Sequence, residues 1–214
     1  ERHMAYRILR AAKNRFGATN EIGVFEMEDG GLAEVPNPSE SLLAGRPEDA
    51  PGTCVTCVME GVRPVLAEIQ AMVVPSSFGN PRRVSNGVEY NRAMLLLAVL
   101  EKRGGLLLGN CDAYLNVIGG LSLDEPAADL AAMLALASSF RDKPVPSDLA
   151  AIGEVGLTGE LRAVSNLGQR LSEVRRLGFT KCLIPKRIQG KLAAPEGLEL
   201  IRVANIREAL AALL

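Results

Sequence analysis

Residues 123–140, "LDEPAADLAAMLALASSF", constrain the fold more than any other stretch of the chain. Asp124 and Glu125 favour a helix start, Pro126 suits a first turn, and an uninterrupted Ala/Leu segment follows. Alanine and leucine in such a run pack a helix closely against a sheet. That demands a compact domain of helices on strands, and 214 residues with 48% apolar side chains can bury a substantial core.

The totals narrow what such a domain does. No run reaches about 18 uncharged apolar residues, so no membrane span is expected, and no secretory signal pattern occurs. Trp is absent and aromatic residues are scarce, which argues against a base-stacking platform. The formal net charge is −1, so contact with an acidic polymer must come from local basic clusters. Cys54 and Cys57 form a C-x-x-C, joined by Cys111 and Cys182. A structural zinc site needs about four ligands, and His3 is the only histidine. Four reduced thiols are expected, with no metal held by this chain; a redox pair or a metal half-site at Cys54 and Cys57 is the alternative.

Along the chain, Glu1-Arg2-His3-Met4 reads as a cloning remnant, and residues 5–35 as strands with a Gly-Gly hairpin. Residues 36–53, rich in Pro, Ser and Gly, read as a linker with one helical turn at Ser41–Leu43. From Cys54 the pattern is α/β. Two strands meet at a Gly61 turn, and a basic loop follows. A helix comes next, with Asn86 as a possible cap and Gly104 as a stop. After the Ala/Leu helix come a hairpin at Gly159, an amphipathic helix ending at Gly178, two strands and a closing helix.

"NVIGGLSLDEPAADLAAMLALAS" and "IGEVGLTGELRAVSNLGQRLSEVRRLGFTKCLIPK" carry a resemblance: residues 54–214 are similar to the proteolytic domain of Lon proteases. The implied fold class is α/β (α+β), the sheet-and-helix domain of the ribosomal protein S5 domain 2-like type, preceded by a short β-hairpin segment. In Lon the first stretch carries the nucleophilic Ser and the second a Lys base. Matched residue by residue, these fall on Ala127 and Gly168. Covalent catalysis needs an ionisable oxygen or sulfur and a proton acceptor, and a methyl and a hydrogen supply neither. A displaced dyad using Ser122 or Ser165 would need a new geometry. A peptide- or partner-binding module using the vacant groove is a further alternative.

Lys13-Asn14-Arg15-Phe16-Gly17 precedes this domain. A Lys-Asn-Arg-Phe-Gly motif followed by a Lon-like domain lacking its dyad resembles the bacterial RadA (Sms) family of DNA-repair ATPases. The resemblance implies that residues 5–35 end a RecA-like ATPase core. It implies that ATP, Mg and a zinc finger belong to the rest of the parent, since no G-x-x-x-x-G-K-[ST] occurs here. Lys13 and Arg15 would then reach a neighbouring subunit's γ-phosphate in the manner of an arginine finger. Asn14 and Gly17 would shape the turn, and Phe16 would anchor it. The family further implies a cytoplasmic homo-hexamer ring that acts with the RecA recombinase on single-stranded or branched DNA and promotes branch migration. Arg82 and Arg83, with Arg92, are the leading candidates for sequence-independent phosphate contacts. Lys102 and Arg103, and the cluster Lys181, Lys186, Arg187 and Lys191, are further candidates.

Overall fold

The computed structural model describes residues 7–10, 22–28, 30–77, 79–188 and 190–214. Strands β1 (Arg7–Arg10), β2 (Ile22–Glu28) and β3 (Gly31–Glu34) form a small antiparallel sheet in that order. The expected hairpin is the β2–β3 turn, where Gly31 takes a φ of 120° that a side chain would resist. Helix α1 (Pro38–Leu43) follows.

The principal sheet begins with β4 (Thr53–Glu60) and β5 (Arg63–Pro75), paired antiparallel across the expected Gly61 turn. Strand β6 (Arg83–Asn86) leads into helix α2 (Tyr90–Val99), which ends in a π-type turn at Leu100–Gly104. Strand β7 (Cys111–Val117) is followed by a 3-10 turn at Pro126–Ala128 and by helix α3 (Asp129–Arg141), the Ala/Leu segment. Then come β8 (Leu149–Ala151), β9 (Glu154–Val155), β10 (Leu161–Arg162) and α4 (Leu167–Arg176). Strands β11 (Lys181–Pro185) and β12 (Glu199–Val203) and helix α5 (Ile206–Leu213) close the chain.

Seven strands make one mixed sheet in the order β12-β11-β8-β4-β5-β7-β6. The β12-β11-β8-β4 half is parallel, β5 is antiparallel to both its neighbours, and β6 runs parallel to β7. Side chains alternate across such a sheet, so β4 and β5 feed two cores. Cys54, Val58, Val65, Ala67 and Ile69 join the larger one with α3, while Val55, Cys57 and Leu66 join the smaller one with α4. Residues Leu130–Ala137 of α3 are all buried, as the Ala/Leu composition requires.

Two expectations need correction. Residues 36–53 do not form a free tether. Leu42 is buried, Ser39 Oγ accepts from the Leu66 amide at 3.1 Å, and the same hydroxyl donates to Glu173 at 2.8 Å. Arg46 donates to the Ser147 carbonyl and lies 5.1 Å over the Phe179 ring. The cap of α2 is Glu89, whose carboxylate accepts from the amides of Asn91 and Arg92 at 2.9 and 2.7 Å. Asn86 belongs to β6, and Gly87 at φ 84° turns the chain before the helix starts.

Candidate functional site

The Lon-like signature folds into a turn, not a cleft with two facing reactive groups. Pro126 sets the first 3-10 turn, and Ala127 falls inside it, 2% exposed, among Val55, Cys57, Leu66, Leu167 and Leu171. Gly153 donates its amide to the Ala127 carbonyl at 2.9 Å, and Leu130 donates to the Gly153 carbonyl at 3.1 Å. The turn is thus stitched to the segment after β8.

Gly168 offers no side chain to it. It lies on the exposed side of the first turn of α4, and a Cβ built there meets nothing within 4 Å. The side chain that reaches the turn is Arg170. Its guanidinium is fully buried and forms a bidentate pair with Glu125, two residues before Ala127; the Nη2–Oε2 bond is 2.8 Å. It also donates to the Cys57 carbonyl at 2.7 Å and to the Ser165 carbonyl at 2.9 Å. Four acceptors around one planar fork satisfy the buried cation. The Ala127 methyl is thus walled in, although a cavity of about 260 Å³ opens among Leu123, Glu125, Pro126 and Ala128, and one of about 530 Å³ among Ser165, Leu167 and Gly168. Ser122 and Ser165, the alternative hydroxyls, are exposed on separate loops, and Ser122 Oγ donates to Asp124 at 2.7 Å.

Arg170 was missed in the sequence because an Arg two residues past the matched position reads as a surface cation. A signal existed. Leu167, Leu171 and Val174 mark the inward stripe of α4, and position 170 falls on it.

The expected phosphate contacts fare unequally. Arg92 is not a free cation: it pairs in a fork with Asp129 and donates to the Val155 carbonyl at 3.0 Å. That bond to Asp129 holds its guanidinium above the ordinary range, while burial raises the Asp129 carboxyl against the pull of the pair. The two tie α2, α3 and β9 together. Arg83 is also committed, donating to the carbonyls of Leu108, at 2.9 Å, and Cys111. Arg82 alone of the three projects an exposed side chain. Its amide donates to Asp112, whose carboxyl is thereby lowered. Lys13, Asn14, Arg15, Phe16 and Gly17 lie outside the described residues.

The C-x-x-C lies on β4, where a spacing of three sends the thiols to opposite faces: Cys54 to the larger core, Cys57 to the smaller. They cannot share a metal or close a disulfide without rebuilding the strand. Burial pushes Cys54 up to about 12 and raises Cys57 and Cys182 strongly as well. In the native protein at pH 8, Ellman's reagent should therefore find only Cys111, which is partly exposed. Reaction of a second thiol before unfolding would contradict this arrangement.

Among the described residues no helix is long and apolar enough to cross a membrane. Residues 112–214 match the family model of the Lon protease (S16) C-terminal proteolytic domain. Proteins named DNA repair protein RadA match nearly the whole chain. The Bacillus subtilis protein is 56% identical over 210 residues, 98% of this chain and 46% of the relative. Those of Listeria monocytogenes and Streptococcus pneumoniae are 55% and 53% identical, covering 46% and 50% of their lengths. The chain spans about half the length of the curated relatives it matches. With a Lon-type domain and this identity along almost its entire length, the chain belongs to the RadA family.

Proposed function

We propose that this chain is the non-proteolytic platform and DNA-contacting portion of a DNA-repair ATPase. The complete protein would hydrolyse ATP on DNA, process recombination intermediates and promote branch migration with RecA, as a cytoplasmic homo-hexamer ring. The relatives' shared name supports the repair role. The observation that carries the platform reading is the walled-in turn: a buried methyl at Ala127, with the Arg170–Glu125 pair beside it. A peptidase needs a nucleophile there, and a buried methyl supplies none. Lys13 and Arg15 would act on a neighbour's ATP, with Mg and Zn held by the other half of the protein.

Of the three leading arginines, Arg82 remains the best placed for a phosphate, with Lys102 and Arg103 also exposed. The test is binding of the chain to fluorescent oligothymidylate across a salt series, with its mass measured by sedimentation. We expect an assembly larger than one chain, and a log Kd that rises with log salt. Arg82→Ala should reduce that slope by roughly 0.7, as for one lost single-strand phosphate contact. A monomer without measurable DNA binding would overturn the proposal.

A further inference from the structure

A cavity of about 670 Å³ shares none of its lining residues with the Ala127 turn. It runs between β10 and the segments that follow β11 and β12. Its floor is aliphatic: Leu161, Ala163, Ile188 and Ala204. Its rim is cationic, from Arg162, Lys186 and Arg187. Lys186 and Arg187 are exposed, and among the described residues no hydrogen bond or ion pair engages their side chains. Glu160, the single rim carboxylate, is occupied: it accepts from Thr158, approaches Arg162 at 3.8 Å, and is held below the usual carboxylate range chiefly by the Thr158 bond. The backbone of the groove is fixed, with the Leu161 amide on the Ala204 carbonyl at 2.9 Å and the Lys186 amide on the Val203 carbonyl at 2.7 Å.

A cavity of this volume falls within the range of about 300–1,000 Å³ in which ligand clefts lie. Its chemistry discriminates between two acidic occupants. A single-stranded nucleic acid site combines cations with aromatic side chains on which bases stack. This floor has no aromatic side chain. Aliphatic side chains with acidic neighbours match it on both counts, apolar against the floor and carboxylate against the rim.

We infer that this groove is a docking site for an acidic, aliphatic peptide segment of a partner protein. The inference goes beyond the platform reading and does not depend on it: Lys186 and Arg187, which the sequence offers only as further candidates for DNA phosphates, serve here to select protein carboxylates.

The experiment is fluorescence anisotropy of the full chain with a labelled peptide of alternating Asp and Leu. Saturable binding in the micromolar range is expected, with no binding of the matching Lys–Leu peptide. Charge reversal at the rim, Lys186→Glu with Arg187→Glu, should weaken binding at least about tenfold, because like charges then face each other. Lys186→Gln with Arg187→Gln should weaken it less, and thermal melting of both variants should match the parent, since the substituted side chains are exposed. Absence of saturable binding, or equal binding by the reversed variant, overturns the inference. So does direct binding of labelled oligothymidylate tighter than that of the peptide and abolished by the same reversal, which would assign the groove to nucleic acid. Arg82→Ala should leave peptide binding unchanged, so a failure here is separable from a failure of the DNA reading.

Discussion

Arg170→Ala is expected to be among the most damaging single substitutions in the domain. It removes a fully buried guanidinium and takes its donors from the Cys57 and Ser165 carbonyls and from the Glu125 carboxylate, which keeps the Met59 amide at 2.8 Å. Breaking a buried pair from one side costs about 3–5 kcal/mol. For a domain of this size that lowers the melting temperature by roughly 10 °C, measurable by calorimetry or circular dichroism. The control is Arg170→Met combined with Glu125→Leu, which removes both charges and keeps volume. It should recover much of the loss, since paired removal of buried ions is often neutral. If Arg170→Ala melts like the parent, the pair does not hold α4 to the Ala127 turn. Arg170→Lys should fall between, since an ammonium cannot make the fork.

The second large effect is expected at Gly52, in the stretch whose composition resembles a linker. Its φ is 89°, and a Cβ there would stand 2.3 Å from the Ala71 carbonyl oxygen and 3.3 Å from the Ser139 Cβ. Its amide donates to Ser138 Oγ at 2.9 Å, and its carbonyl accepts from Ala71 at 2.7 Å. Gly52→Ala therefore meets both a left-handed backbone and an occupied volume, with a cost of at least about 2–3 kcal/mol. Chemical denaturation would show a shifted midpoint. At Gly45, by contrast, the φ is 74° and the surrounding space is open. Alanine there should cost only about 1 kcal/mol. Equal stability of the two variants would mean that Gly52 is not packed as described.

What the sequence made legible was local. Gly61 and Gly159 mark turns because positive φ is needed where the strands reverse. The Ala/Leu run announced its own burial. Asn205 caps α5 by accepting from the Glu208 amide at 3.0 Å, an equally local feature that went unread. What stayed hidden depends on partners distant in the chain. Arg83 finds its acceptors 25 and 28 residues onward, and Arg92 finds Asp129 37 residues away. No pattern around either arginine distinguishes it from an exposed one. The same holds for Ser39 and Arg46. Polar side chains in a Pro- and Ser-rich stretch look solvated until Glu173, Ser147 and Phe179 are brought beside them. Motif spacing placed the matched base position on Gly168, and the helix leaves that position exposed with open space around it.

The order of the strands in the sheet bears on how a ribosome delivers this protein. Strand β4 is made well before one of its neighbours, β8, joined where Val55 meets Ala150. Until that residue is synthesised, the early strands can pair only on their β5 and β7 side. The apolar side chains of Val55, Cys57 and Leu66 await α4, and Glu125 awaits Arg170. A nascent chain halted before β8 would display an unpaired strand and an oily surface together, the state in which a chaperone would find it and in which aggregation begins.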